Sequence, residues 1–175
     1  YNILGSANAG LGQLDEAITS YDRALKIDPD YAEAHNNLGN AMLKKGDQNA
    51  AIRNFNHALR INPNYVDAHY NLGNTLLKTG ELTGAIESYN RAIEINPDYA
   101  EAHSNLGVAL KRKGDLTSAI ESYRRAIEIK PGYADAHNNL GLTLKEKGDL
   151  SAAIESYNQA LRINPDYASA YYNRG

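Results

Sequence analysis

The sequence predicts an all-α solenoid of stacked antiparallel helix pairs, and three observations lead to this prediction. The chain repeats with a period of 34 residues in several registers at once. Each period holds two segments whose apolar residues recur with helical spacing. Glycine and proline recur at the points where those helices would end. Since one helical hairpin cannot bury its apolar face alone, neighbouring repeats must stack to form a core.

The repeat is clearest in the prolines and glycines. The prolines fall 34 residues apart, at Pro29, Pro63, Pro97, Pro131 and Pro165. One glycine series runs at the same spacing from Gly12 to Gly148, and a second runs from Gly5 to Gly175. These series predict a single array over residues 1–175, with a partial repeat at 1–31, complete repeats at 32–65, 66–99, 100–133 and 134–167, and the start of a sixth at 168–175. Because the array begins and stops inside a repeat, we expect it to be an excerpt of a longer array or of a multidomain protein.

The second repeat illustrates how each period becomes two helices. Its first half, Ala32–Lys45, places small or apolar side chains on one helix face, and Gly46 follows at the left-handed C-cap position. A second helix is predicted over about Asn49–Ile61, because Pro63 cannot continue it. Asp30–Glu33 is interpreted as a capping box that opens the first helix, with its glutamate at the third helical position.

Composition narrows the classes of function. The 175 residues carry a formal net charge of −3, which argues against a nucleic-acid binder because such proteins usually show a basic excess. The chain has no cysteine, so a disulfide framework and a thiolate zinc site are both excluded. No apolar run approaches the roughly 18 residues that are needed to span a membrane. This composition fits any compartment, and we favour the cytoplasm.

Residues at matched positions resemble a known family. In the second repeat the pattern consists of His35, Leu38, Gly39 and Met42, followed by Ala51, Phe55, Ala58 and Pro63. This order resembles the tetratricopeptide repeat, and the likeness covers the whole chain. The resemblance implies a right-handed superhelix whose first helices line a concave groove for a protein or peptide ligand. The chain departs from the pattern where histidine replaces the usual large aromatic residue, at Asn8, and at Arg174 in the leucine position.

A stripe on the first helices is the surface best suited to binding. Positions i, i+4, i+7 and i+11 lie on one helix face, and the resemblance places this face in the concave groove. The predicted partner-binding residues are Asn37, Asn40, Lys44, Asn71, Asn74, Lys78, Asn105, Val108, Arg112, Asn139 and Leu142.

Asparagine recurs once per repeat in this stripe. It stands at Asn37, Asn71, Asn105, Asn139 and Asn173, although a mid-helix asparagine is mildly unfavourable. A carboxamide offers donors and an acceptor, and so does the peptide backbone that it could bind. The pattern is similar to the asparagine ladder in the tetratricopeptide region of O-GlcNAc transferase, which implies a ligand held by its backbone. The alternative is that these asparagines bond only to neighbouring side chains of the stack.

The stripe changes character along the chain. Asn40 and Asn74 give way to Val108 and Leu142, so we expect an apolar side chain of the ligand to dock near the latter pair. Local repacking of the core is the alternative reason for these two residues. The basic residues at the ends of the earlier first helices give way to Glu146.

No catalytic or metal-binding constellation is predicted. Histidine recurs at the repeat period, at His35, His69, His103 and His137. Neighbours would lie about 10 Å apart, whereas zinc needs its ligands at about 2.0–2.1 Å, so we interpret these histidines as packing residues. The serines also recur at matched positions, which is typical of a structural role because a catalytic site is normally unique. We therefore expect no enzyme activity and no cofactor.

Three functions are compatible with this pattern. The leading hypothesis is a protein-interaction scaffold that binds an extended peptide segment through the asparagine ladder. A second is the substrate-recognition arm of a larger enzyme, such as a protein glycosyltransferase. A third is a self-assembling structural array, since uncapped ends would expose apolar helix faces to other copies of the chain.

Overall fold

The computed structural model describes residues 1–174, and over this range it contains helices and no strand. The helices are α1 Asn2–Gly10, α2 Leu14–Ile27, α3 Ala32–Lys45, α4 Gln48–Ile61, α5 Val66–Thr79, α6 Leu82–Ile95, α7 Ala100–Lys113, α8 Leu116–Ile129, α9 Ala134–Lys147, α10 Leu150–Ile163 and α11 Ala168–Arg174. The predicted all-α fold of consecutive helix pairs is therefore confirmed. Gly175, predicted as the glycine of a sixth repeat, lies outside the described residues. None of the helices in residues 1–174 has the length and apolarity that a bilayer crossing would need.

The helices form two compact units. The first comprises Tyr1–Ile95 with α1 to α6, and the second begins at Asn96 and contains α7 to α11. Within each unit, an odd-numbered first helix packs against the even-numbered second helix of its own repeat. Each second helix also packs against the first helix that follows it within the unit. This nearest-neighbour packing is the arrangement that a 34-residue helical repeat requires.

Glycine and proline end the helices as the sequence predicts. After α3, Gly46 has φ of 90° in the left-handed region, and its N–H donates to a carbonyl of the last helical turn. Glycine adopts this conformation without the steric penalty that a Cβ would bring. Helix α4 ends at Ile61, because Asn62 is extended and Pro63 follows it.

The capping box predicted at Asp30–Glu33 is wrong. Helix α3 begins at Ala32 with Tyr31 at the N-cap, and no side chain caps it. Glu33 is thus the second helical residue, where its negative charge still interacts favourably with the positive end of the helix dipole.

Side-chain caps are found instead at second helices. The carboxylate of Asp47 accepts a hydrogen bond of 2.9 Å from the N–H of Ala50, which satisfies one of the free donors at the start of α4. The same cap recurs in the second unit, where the N–H of Ser118 donates to Asp115 and the N–H of Ala152 donates to Asp149. This regularity gives each of these second helices a fixed first turn.

A glycine in each first helix allows close contact with an aromatic ring of the second helix. A Cβ at Gly39 would lie 2.6 Å from the ring of Phe55, and one at Gly73 would lie 2.7 Å from the ring of Tyr89. Both rings are completely buried. The ring therefore lies directly against the backbone of the first helix at the glycine.

The recurring histidines have a structural role, although hydrogen bonding defines it rather than packing alone. Their Nε2 atoms lie 2.9–3.0 Å from proline carbonyl oxygens, in the pairs His35 with Pro29, His69 with Pro63, His103 with Pro97 and His137 with Pro131. Each histidine thereby ties its first helix to the loop that precedes it.

Candidate binding surface on the first helices

The stripe predicted from the sequence divides between the two units. In the first unit it consists of Asn37, Asn40, Lys44, Asn71, Asn74 and Lys78 on α3 and α5. In the second unit it consists of Asn105, Val108, Arg112, Asn139 and Leu142 on α7 and α9. We call the asparagines at 37, 71, 105, 139 and 173 the ladder asparagines, and all five are half-buried.

Three ladder asparagines bond to an asparagine of the preceding repeat. Nδ2 of the ladder residue donates to Oδ1 of its partner over 3.0–3.1 Å, in the pairs Asn37 with Asn2, Asn71 with Asn36, and Asn173 with Asn138. We call Asn2, Asn36 and Asn138 the anchor asparagines, and all three are buried. One N–H of each ladder amide is thus used within the stack. The other N–H and the Oδ1 acceptor remain for a further partner.

A tyrosine and a carboxylate hold the anchor Asn2, and a tyrosine also bonds to the anchor Asn138. Nδ2 of Asn2 lies 3.2 Å from the hydroxyl of Tyr31 and 3.0 Å from the carboxylate of Glu33. In the second unit, the hydroxyl of Tyr167 donates over 2.5 Å to Asp135. Burial first, and then this carboxylate, raise the pKa of Tyr167 to about 12, so the phenol keeps its proton at neutral pH.

The sequence interpretation missed the anchors. An asparagine directly before a ladder asparagine is not among the residues predicted from the sequence, and the structure buries it. The available signal was the Asn-Asn pair, which occurs at 36–37 and again at 138–139. A buried amide needs a partner, and the ladder amide of the next repeat supplies one.

The ladder is not uniform. Asn139 has Ser104 at the position that an anchor would occupy in the preceding repeat. Its side chain makes no hydrogen bond within residues 1–174, whereas its backbone carbonyl accepts one from Thr143. Unlike Asn173, Asn139 therefore has no hydrogen bond within residues 1–174 that would fix the plane of its carboxamide.

Three residues after a ladder asparagine stands a residue of what we call the second row of the stripe, which consists of Asn40, Asn74, Val108 and Leu142. The members of this row differ even more than the ladder asparagines do. Asn40 makes no side-chain hydrogen bond within the described part of the chain, whereas Oδ1 of Asn74 accepts 2.8 Å from the hydroxyl of Tyr89. Val108 and Leu142 are partly buried and pack against the core of the second unit. Their apolar side chains therefore contribute to packing, and part of each remains exposed.

In the second unit, Tyr157 stands at the repeat position that Tyr89 holds in the first unit, and its hydroxyl is buried. Tyr157 is 1% exposed, and its hydroxyl has no hydrogen-bond partner among residues 1–174. Leu142 stands fifteen residues before it, where Asn74 stands before Tyr89. Burial raises the pKa of the Tyr157 hydroxyl. The apolar substitution thus removes the acceptor that a tyrosine at this position would otherwise use.

The charged ends of the stripe also differ. Lys44 and Lys78 are exposed and make no ion pair or hydrogen bond within residues 1–174. In the second unit, Glu146 lies 3.4 Å from Lys111 and is partly neutralised by it. The stripe of the first unit therefore offers amides and two amines, and the stripe of the second unit offers amides, an apolar patch and the guanidinium of Arg112. None of the clusters of histidine and carboxylate side chains in residues 1–174 could hold a metal ion.

Comparison with known proteins agrees with this architecture. The sequence profile of a family described as "TPR repeat" matches residues 5–46, 39–80, 73–114, 109–148 and 142–175. No curated protein sequence matches the chain.

Solved structures give the same result. The crystal structure of MamA is 32% identical, with a TM-score of 0.88 over 94% of this chain and 96% of that one. YrrB, described as a TPR protein with an unusual peptide-binding site, is 31% identical, with a TM-score of 0.84 over 96% of this chain and 87% of that one. TTC0263, a thermophilic TPR protein of Thermus thermophilus, is 25% identical, with a TM-score of 0.72 over 99% of this chain and 94% of that one.

Proposed function

Because this chain belongs to the tetratricopeptide repeat family and is a protein–protein interaction scaffold, we propose that the stripe of each unit binds an extended segment of a partner protein. The ladder asparagines hold the backbone of that segment. The second-row residues and the charged residues at the end of each stripe contact the side chains of that segment and select among them.

The bond from ladder to anchor is the observation that carries this proposal. It fixes the plane of the ladder carboxamide before any ligand arrives, so less side-chain entropy is lost on binding. The remaining Oδ1 and N–H can accept from and donate to one residue of an extended chain, whose own N–H and C=O point to the same side. The peptide-binding site ascribed to YrrB supports the same use of a related array.

The two stripes favour segments of different character. Lys44 and Lys78, which have no acidic partner within residues 1–174, favour carboxylates on the segment bound by the first unit. Val108 and Leu142 favour an apolar side chain on the segment bound by the second unit. Dispersion and loss of water from this patch would provide the gain in affinity.

Peptide selection followed by substitution tests the backbone mode. A peptide of about eight residues is long enough to cross three first helices that lie about 10 Å apart. Random peptides of this length are selected for binding to the wild-type chain, and those that bind serve as the probes. The double variant Asn37→Ala/Asn71→Ala should weaken the peptides bound by the first unit by about tenfold or more, since two hydrogen bonds are lost. N-methylation of single peptide N–H groups should weaken binding at matching positions.

The double variant Asn56→Ala/Asn90→Ala is the matched control, because it removes two exposed carboxamides from second helices. It should bind like the wild type. Equal affinity of the ladder variant and this control for every selected peptide would refute the backbone mode, provided that circular dichroism shows both variants folded.

A separate substitution tests the apolar patch. Leu142→Asn should weaken peptides that carry an apolar anchor, and it should also provide the hydroxyl of Tyr157 with an acceptor like that of Tyr89. Affinity should therefore fall while the free energy of unfolding rises. If affinity and stability fall together, loss of packing explains the result and the patch is not a ligand site.

The other two hypotheses gain no support from the comparisons. A recognition arm of an enzyme remains a prediction that only a catalytic partner domain could support. Self-association through the ends also remains a prediction. Ile3 is 86% exposed and Tyr172 is also 86% exposed, so light scattering over a range of protein concentrations is the relevant measurement.

A further inference from the structure

An aromatic residue of the second helix lies beneath the second row of the stripe. The hydroxyl of Tyr21 donates over 3.3 Å to Oγ of Ser6, and that of Tyr89 donates over 2.8 Å to Oδ1 of Asn74. In both cases the acceptor stands fifteen residues earlier, directly after the glycine on which the ring lies. The phenolic oxygen therefore reaches the binding surface from below.

Phe55 breaks this pattern. It is the single phenylalanine of the chain and fills the position that tyrosine fills in the other repeats. Its ring lies on Gly39 as the tyrosine rings lie on their glycines, but it has no hydroxyl to offer Asn40. Asn40 is half-buried, and its carboxamide makes no hydrogen bond within residues 1–174.

We infer that Phe55 keeps Asn40 available, and that Asn40 is a specificity-determining contact for the partner segment bound by the first unit. This inference rests on the proposed function. A tyrosine at position 55 would occupy Oδ1 of Asn40 from within the protein, as Tyr89 occupies that of Asn74. The absence of one buried oxygen thus preserves one acceptor at the surface.

The ligand that suits Asn40 is a group with a donor and an acceptor side by side. The side chains of asparagine and glutamine present a donor and an acceptor in this way. Asn74 offers a different contact, because Tyr89 already donates to its oxygen and fixes its plane. The register of the segment is therefore set at α3 rather than at α5.

A thermodynamic cycle on these two positions tests the inference. The probes are the selected peptides of about eight residues whose binding depends on the ladder of the first unit. Asn40→Ala should weaken them by about tenfold, and Phe55→Tyr should weaken them by about threefold to tenfold. In the Asn40→Ala background, Phe55→Tyr should have no further effect, since its target is gone.

Asn74→Ala serves as the matched carboxamide control and should weaken the same peptides less than Asn40→Ala. Side-chain amide resonances provide a second readout, because Phe55→Tyr should shift the NH2 signals of Asn40 in the free protein. Unchanged affinity and unchanged signals in Phe55→Tyr would overturn the inference, and so would an equal loss of affinity in both backgrounds. If peptides depend on Asn37 and Asn71 but not on Asn40, this inference fails while the proposed function stands.

Discussion

At the scale of single residues, the hydroxyl of Tyr157 is the clearest uncompensated group. A buried hydroxyl without a partner costs about 1–3 kcal/mol, and none of residues 1–174 offers it one. The tyrosine ring itself is needed, because it fills the contact with Gly141. The oxygen and the ring therefore contribute to stability with opposite signs.

Tyr157→Phe should accordingly raise the free energy of unfolding by about 1 kcal/mol, because it removes the unpaired oxygen and keeps the ring. Tyr89→Phe should lower it by about the same amount, because that hydroxyl donates to Asn74. Urea denaturation of the two variants beside the wild type measures both changes. A loss of stability in Tyr157→Phe would mean that its hydroxyl has a partner in solution.

We expect His57 to make the first unit less stable in acid. Its ring stacks on that of His35 at 5.2 Å between centroids, and it also contacts Arg60. Burial first, then Arg60 and His35, lower the pKa of His57 from its ordinary value of 6.5. The unfolded chain therefore binds this proton more readily than the folded chain does, and stability is lost as the pH falls below 6.5.

His57→Gln should flatten this dependence, because glutamine does not titrate. The measurement is the urea midpoint of the variant and the wild type at several values of pH between neutrality and about pH 5, below the ordinary pKa of histidine. Parallel curves for the two proteins would show that other groups cause the loss of stability in acid.

At the scale of helices, the sequence predicted where helices end but not which side chains cap their first turns. Gly46 and Pro63 marked the helix ends correctly, because left-handed φ and a missing N–H act locally. The cap at Asp30 was wrong because Tyr31 already holds the N-cap position and the chain turns before it. Local residue types do not reveal which backbone N–H groups lie within reach.

Asp47→Ala should destabilise the protein by about 1 kcal/mol, since the N–H of Ala50 loses its acceptor at the start of α4. Asp30→Ala, at the position where the capping box was predicted, should change the free energy of unfolding by less than about 0.5 kcal/mol. Denaturant titration of the two variants shows whether the cap at Asp47, seen in the structure, or the cap at Asp30, predicted from the sequence, stabilises the protein.

The contact between glycine and ring is equally specific to its place in the helix. Gly73→Ala should cost about 1–3 kcal/mol, because its Cβ would lie 2.7 Å from the ring of Tyr89. Gly10→Ala is the control, since a Cβ there meets nothing within 4 Å and alanine favours the helix. Thermal unfolding should show opposite signs for the two substitutions.

At the scale of the whole molecule, each helix depends on its immediate neighbours. Leu4 of α1 is 51% exposed, whereas the matching Leu38 and Leu140 of α3 and α9 are 5% and 8% exposed. Helix α11 has seven residues and little core of its own. Stability should therefore vary along the chain rather than being shared equally.

Hydrogen exchange measures this gradient directly. Backbone amides of α1 and α11 should exchange at least about tenfold faster than those of α3 and α9, because fewer buried contacts must be broken to expose them. Uniform protection across all four helices would show that each unit opens as one cooperative block.

The sequence could predict the fold almost completely, because repetition reports each structural requirement several times. For the same reason it placed one ladder asparagine of each repeat on a first helix, as the helix bounds show. It did not reveal the state of each member, which depends on residues from another helix. Asn37 is fixed by Asn2, Asn139 has no side-chain partner within residues 1–174, and Asn74 is bound by Tyr89. These differences come from single substitutions in neighbouring elements that the period itself does not mark.

The pairing of anchor and ladder has a consequence for how such arrays can be rearranged. Asn36 orients the amide of the next repeat, while Asn37 beside it is oriented by the previous one. A repeat that is transplanted behind a predecessor with serine at the anchor position would keep its sequence but lose its fixed carboxamide. Recombination that only reorders repeats could thus alter what an array recognises. Under the proposed function, recognition would be determined by the junction between two repeats rather than by the single repeat.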